Sequence, residues 1–199
     1  AGFAKCILSG AILTRTNLEQ CDFSSSTLAS TNLFGANFAG AIFRDANLTG
    51  AIVREATNIG EAELSGAILV NADFSPVRIT RTQNLRSAAD LSGINLTRAD
   101  LRGARLRGVK LCKADLRGAD LNEADLSGAD LTGADLTDSE LGRCDLRQAN
   151  LRQAKIGGAD FREAQLANAD LTDVEMITSA KFTGALIDNT KGVDPILAR

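Results

Sequence analysis

Residues 119–136 read ADLNEADLSGADLTGADL, in which Leu121, Leu126, Leu131 and Leu136 recur at every fifth position, each preceded by Asp or Ala-Asp in the same order. Outward from this stretch, every fifth residue from Leu91 to Met176 is apolar, 18 positions in succession, and 13 of the 18 positions two residues earlier are Ala. The same register runs from Phe3 to Val53 through Leu8, Phe23, Leu33, Phe38 and Leu48, giving 11 further centres. Six-residue steps interrupt it from Val53 to Ile59, Ile79 to Leu85, Leu85 to Leu91 and Met176 to Phe182. Counted this way, the repeat occupies residues 1–187 with single-residue bulges near 53–59, 79–91 and 176–182, and residues 188–199 form a C-terminal tail.

A period of five excludes an α-helix. At 100° per residue successive Leu would advance by about 140° and scatter around the cylinder instead of lining one side. Within a unit, however, Ala and Leu two apart point one way and the Asp between them the other, which is the alternation of a very short strand. The following pair, often polar then Gly as in Ser127-Gly128 and Thr132-Gly133, turns the chain where φ becomes positive. Such a unit cannot bury its own Leu. It has to coil and stack at about 4.8 Å per layer, so the expected fold is all-β, a β-solenoid.

The motif A-[D/N]-L-x-x at this density closely resembles the pentapeptide repeat family, and the likeness covers residues 1–187. The resemblance implies a right-handed quadrilateral (four-sided) β-helix with the Leu or Phe centres and the small residues two earlier facing in. Four units per coil then give about nine coils and a rod of roughly 45 Å.

Composition narrows the chemistry. The 199 residues include no His, Trp or Tyr and only 8 Phe, so the core is aliphatic and small, and His-based triads, zinc sites and pH switches are excluded. Asp or Asn before nearly every centre, including Asn37, Asn47, Asn95 and Asn150, reads as a turn-capping side chain, not a carboxylate pair for catalysis or a calcium loop. Cys6, Cys21 and Cys144 fall in the small inward position. Cys112 faces out beside Lys110 and Lys113, which would lower a thiol pKa. No catalytic, cofactor-binding or metal site is expected, and the chain is not read as an enzyme, because a filled coil offers no cleft.

Charge is distributed unevenly. Net charge is −3, yet residues 78–117 carry 10 basic and 3 acidic groups while residues 118–142 carry 7 acidic and none basic. The basic members Arg78, Arg81, Arg86, Arg102, Arg105, Arg107, Lys110 and Lys113 are candidates for an anion-binding girdle, although they fall on all sides of a coil. A second candidate surface is apolar: Ile7, Ile12, Ile42, Ile52 and Ile68 occupy the outward slot that elsewhere holds Asp or Asn. Four units per coil place Ile12, Asn32 and Ile52 in one column with Phe34 beside it, a contact surface for another chain. At the C-terminus, residues 192–197 (GVDPIL) could fold over the last coil as a cap. The N-terminal end shows none, so a second copy in a dimer or a missing preceding segment is expected to cover it.

The function these features imply is a non-enzymatic scaffold for protein–protein interaction, a rigid rod with an unknown protein partner. The resemblance supplies an alternative, since some pentapeptide repeat proteins protect type II topoisomerases such as gyrase by imitating DNA, often as end-to-end dimers. The basic middle of this chain departs from that pattern. No apolar run reaches the roughly 20 residues of a membrane helix and no secretory leader is visible, so a cytoplasmic location without membrane or cofactor is expected.

Overall fold

Ala119, Leu121, Ala129 and Leu131 are fully buried, while Asp120 and Asp130 lie on the outer wall. The computed structural model describes residues 1–75 and 89–194. In it each outward residue forms an isolated parallel bridge to its counterpart one coil away, as in the series Asp100, Asp120, Glu140, Asp160. The spacing is 20 residues, so four five-residue edges complete a coil. Each edge makes two ladder bonds: the Leu121 amide donates to the Glu140 carbonyl at 2.7 Å, and the Glu140 amide donates to the Ala119 carbonyl at 2.9 Å. The fold is a right-handed quadrilateral β-helix.

Four faces result, each a column of bridged residues. The first runs through Gly2, Asp22 and Ile42, the second through Ile7, Thr27 and Asn47, the third through Ile12, Asn32 and Ile52, and the fourth through Asn17, Asn37 and Thr57. Edges are joined by four-residue turns closed by a backbone bond, such as Ala124 N–H to Leu121 carbonyl at 3.0 Å. The corner residue adopts positive φ, and Gly is favoured there but not required: Glu123, Arg143 and Glu163 hold φ of 62°, 56° and 60°. The steric cost of that conformation is offset because the corner amide bonds the next coil, Glu123 N–H reaching the Gly142 carbonyl at 3.0 Å.

The core is a set of stacked ladders. Leu centres and Ala residues fill it without exposure from Ala99 to Leu171, each centre contributing about 1.5–3 kcal/mol before entropy. On the first face the N-terminal rungs are aromatic instead. Phe3, Phe23 and Phe43 stack with centroids 5.1 and 4.9 Å apart and planes within 9°.

Two features of register differ from the sequence reading. One six-residue step runs from Val53 to Ile59, and the 3₁₀ turn η1 (Ile59–Glu61) follows it after Asn58 at φ 54°. Its C-terminal counterpart, η2 (Ile177–Ser179), follows Met176 at φ 59°. Met176 is therefore no core centre; it is 66% exposed, and Ile177 packs against the core in its place. The six-residue step runs from Leu171 to Ile177, not from Met176 to Phe182.

The second difference concerns residues 79–91. Glu63 pairs with Asn95, Ile68 with Asp100 and Asp73 with Arg105, a spacing of 32 residues where other coils have 20 or 21. Consistently, a Cβ added to Gly60 would lie 2.9 Å from the Ser92 carbonyl oxygen, so Ile59 stacks on Leu91. This coil carries about twelve residues beyond the usual count between Phe74 and Leu91, and the expected centres Ile79 and Leu85 lie outside the described residues. At the C-terminal end Lys191 bridges to Asp170 and Val193 packs against the core edge. Residues 195–199, which include the apolar part of the expected cap, lie outside the described residues.

Candidate functional surfaces

Because the centres face inward, every side chain available for recognition stands on the outer wall. Most outward Asp and Asn residues are occupied by the turn they precede. Asp125 and Asp130 accept the backbone N–H two residues on at 3.0 and 3.1 Å, and Asn32, Asn37 and Asn47 do the same at 3.0–3.2 Å. Where Arg stands two residues after Asp, the guanidinium adds a fork. Arg117 donates to Asp115 at 2.8 and 2.6 Å, and Arg102, Arg147 and Arg162 bind Asp100, Asp145 and Asp160 alike. These hydrogen bonds hold the four carboxyls below their ordinary range, against the opposing effect of partial burial.

The described basic candidates are not brought together. Arg102 stands on the second face, Arg105 and Arg107 on the third, and Lys110 and Lys113 on the fourth. Three of them already have acidic partners. Arg102 lies between Asp100 at 2.7 Å and Asp120 at 3.6 Å, Arg105 is 3.9 Å from Asp73, and Lys110 is 3.6 Å from Asp90. The basic coil thus pairs with acids in its own and neighbouring layers, which a count along the sequence could not show. Arg78, Arg81 and Arg86 lie outside the described residues.

Cys112 departs from expectation. Its thiol is pushed up, first by burial and then by its interaction with the Asp130 carboxylate, and the flanking lysines do not overcome this; the thiol also lies 3.9 Å from the Asp130 backbone carbonyl. Cys144 is fully buried and also raised. Among the described residues no group of His, Cys, Asp or Glu has the arrangement of a metal site. The grooves are open troughs in the wall. One of about 430 Å³ is lined by Arg44, Ser65, Thr97, Arg98 and Arg117, but Arg44 is already forked onto Glu63 and Arg117 onto Asp115.

The apolar candidates do form a surface. The bridges set Ile12, Asn32 and Ile52 in one column, with Phe34 half-buried beside it. Adjacent to it, the second face carries a feature the sequence reading missed. Over its first four layers the outward column is Ile7, Thr27, Asn47 and Ile68, the next is Ser9, Ala29, Thr49 and Val70, and the corner is Gly10, Ser30, Gly50 and Asn71. None of these is charged. The same face further along carries Asp100, Arg102, Asp120, Glu140 and Asp160. Sorting residues by steps of 20, and 21 past the bulge, would have exposed this contrast in the sequence.

With repeat, coil and outer wall in place, the relationship is direct. A model of pentapeptide repeats matches in eight copies over residues 3–38, 21–57, 87–118, 99–138, 113–148 and 144–186, and the chain belongs to the pentapeptide repeat family. Among solved structures it is similar to HetL, a pentapeptide repeat protein involved in heterocyst differentiation regulation from the cyanobacterium Nostoc sp. strain PCC 7120, with 28% identity over 97% of this chain and 91% of that one and a TM-score of 0.52. Rfr23 from the cyanobacterium Cyanothece 51142 is 33% identical over 50% of this chain and 65% of its own, with a TM-score of 0.42. QnrB1, a plasmid-mediated fluoroquinolone resistance protein, is 20% identical over 92% and 90%, with a TM-score of 0.30. No protein of curated function matches the chain by sequence. Among the described residues no helix is long and apolar enough to cross a membrane.

Proposed function

We propose that this chain is a non-enzymatic interaction scaffold, a rigid rod whose outer wall binds a protein partner. The observation that carries the reading is the pairing of a filled interior with exposed aliphatics: among the described residues Leu and Ala ladders fill the coil, while Ile7 and Ile12 are 83% and 80% exposed. Large apolar side chains grouped on one part of a soluble wall mark contact surfaces. The regulatory role in the description of HetL fits a protein that acts by binding.

The topoisomerase-protecting alternative has less support. A surface imitating duplex DNA needs negative charge along the rod at a density approaching one per 1.7 Å of axis. The base-free acidic stretch 118–142 spans little more than one 20-residue coil, about 6 Å of axis, and beyond it arginines interleave with the acids. Two assays separate the readings. Affinity capture from the source cell, followed by titration of the purified captured protein, should give saturable binding without chemical change to the partner. Inhibition or protection of a type II topoisomerase in a supercoiling assay at low micromolar protein would replace the scaffold with the mimic.

A further inference from the structure

On the third face the outward column Ile12, Asn32, Ile52 has Phe34 and Arg54 beside it and Arg15 and Gly35 at the corner. Arg54 is half-buried, and its Nε is the one side-chain nitrogen or oxygen among the described residues that is buried without a hydrogen-bond partner. Arg15 leans across the corner into the next layer: a Cβ added to Gly35 would lie 3.1 Å from its Cγ. The two arginines belong to the layers below and above Phe34, and among the described residues neither has a hydrogen bond or ion pair. We infer that Arg15, Phe34 and Arg54, with Ile12 and Ile52, form a docking site for a short extended segment of a partner protein that carries a carboxylate beside an apolar side chain. The inference deepens the scaffold reading and rests on it.

The carboxylate follows from how the rod treats its other arginines. Arg102, Arg117, Arg147 and Arg162 stand two residues after an Asp and fork onto it through Nε. Arg44 and Arg152, which follow Ile42 and Asn150, turn instead to Glu63 and Asp170 one layer up. Arg54 has neither recourse. The residue two before it is Ile52, and the acid one layer up, Asp73, accepts the Ser75 amide and hydroxyl and lies 3.9 Å from Arg105. Glu55 has an interaction of its own, and Glu19 stands on the fourth face. A guanidinium whose Nε has lost its water gains most from a planar acceptor laid across Nε and a terminal nitrogen. Another molecule has to bring that acceptor.

Neighbours and size select the rest. Ile12 and Ile52, 80% and 39% exposed, offer apolar area next to the arginines, so an acid flanked by an apolar side chain is matched on both counts. From Ile12 to Asp73 the face rises by three layer steps, about 14 Å, the length of about four extended residues; that suits a strand-like segment and falls short of a globular interface. A phosphate chain finds no track here, because two bases in four layers, with Glu55 and Asp73 above them, do not continue along the axis.

The test pans phage-displayed random octapeptides against the whole chain and titrates the selected sequences, as synthetic peptides, by fluorescence anisotropy. The expected sequences carry Asp or Glu beside Leu, Ile, Val or Phe, and exchange of that acid for its amide weakens binding at least about tenfold. Arg54→Gln and Arg15→Gln should each cause a comparable loss with an unchanged thermal melt, because neither guanidinium bonds the rod. If a melt moves, Arg54→Lys takes its place; it keeps the charge without the fork and should still weaken binding. Arg98→Gln, at a guanidinium on another corner that also lacks a described partner, should change nothing. The inference is overturned by a failure to select any peptide, by selected sequences without acids, by indifference to both arginines, or by an equal loss from Arg98→Gln. Tighter binding of single-stranded DNA than of the peptides, or a dimer of this chain that Arg54→Gln dissolves, also overturns it. Capture from the source cell separates it from the scaffold reading. A protein still captured by the Arg15→Gln, Arg54→Gln double variant overturns this site and leaves the scaffold standing, whereas capture of nothing by the unsubstituted chain removes both.

Discussion

The coils formed by residues 3–74 and those formed by residues 91–171 share one backbone and differ on both sides of it. In the first group the inward rungs include Phe23, Phe38 and Phe43, and the outward slot holds Ile, Thr and Asn as readily as Asp. In the second group the rungs are almost uniformly Leu over Ala, and the outward slot is mostly Asp, locked by Arg two residues on or by Ser and Thr at the same place. Ladder bonds of 2.6–3.2 Å run through both. The coil is therefore specified from inside, by volume and polarity at two positions in five, and the outer wall is free to carry other information.

That independence can be broken most severely at the centre. Leu121→Asp places a carboxylate in a fully buried ladder where it has no partner, and should cost more than about 4 kcal/mol. The measurement is loss of the cooperative denaturation transition. Leu8→Asp in the first coil, where the side chain is only partly buried, should cost about half as much because the charge reaches water; equal losses would mean that the end coil is as enclosed as the middle.

Next comes rung size. Phe23→Ala removes a ring stacked on both sides and should destabilise by about 3–5 kcal/mol, against about 2–4 for Leu116→Ala on the same face. Chemical denaturation of the two variants tests whether the aromatic rungs make the N-terminal coils the better packed ones.

Acid should separate the two groups in the opposite sense. Asp100, Asp115, Asp145 and Asp160 have carboxyls depressed chiefly by hydrogen bonds from Arg. A folded pKa below the unfolded value gives stability that is complete above the unfolded value of about 4 and is lost as pH falls through the folded one. In residues 3–74 only Asp22 and Glu63 show such depression. Hydrogen exchange between pH 6 and pH 3 should therefore show the second group loosening first. Uniform loosening would mean that these exposed pairs add nothing, as many surface ion pairs do.

Much of this was legible in residues. Period five, Ala two before Leu and the intervening Asp led to burial of Leu121 and Leu131 and to the capping role of Asn37 and Asn47. Phase was harder, because Met176 and Ile177 are both apolar and a period cannot say which of two adjacent apolar residues turns inward. The parallel between Ala56-Thr57-Asn58-Ile59 and Val174-Glu175-Met176-Ile177 carried that information, since in each the third residue takes positive φ. The coil with twelve extra residues was harder for a different reason: Ile79 and Leu85 continue the apolar spacing in the sequence, and the length of the coil shows in the pairing of Glu63 with Asn95, Ile68 with Asp100 and Asp73 with Arg105. Neutralisation of the basic candidates was not legible because sequence counts charge along the chain, while pairing acts across it, Arg102 meeting Asp120 in the next layer.

The smallest expected effects are also the most direct comparison of the two walls. Asp130→Ile gives the second group an outward residue typical of the first. It removes the acceptor for the Thr132 amide and hydroxyl and should cost about 1 kcal/mol, partly offset by the strand preference of Ile. Ile52→Asp makes the reverse exchange on a half-exposed position and should change stability by no more than about 0.5 kcal/mol, because a carboxylate there can accept the amide two residues on as its counterparts do. If thermal melts show the first exchange harmless and the second costly, the outer wall of the N-terminal coils contributes to folding and its isoleucines are packing residues. If the order is as expected, those isoleucines are dispensable to the rod, and binding is what remains for them to do.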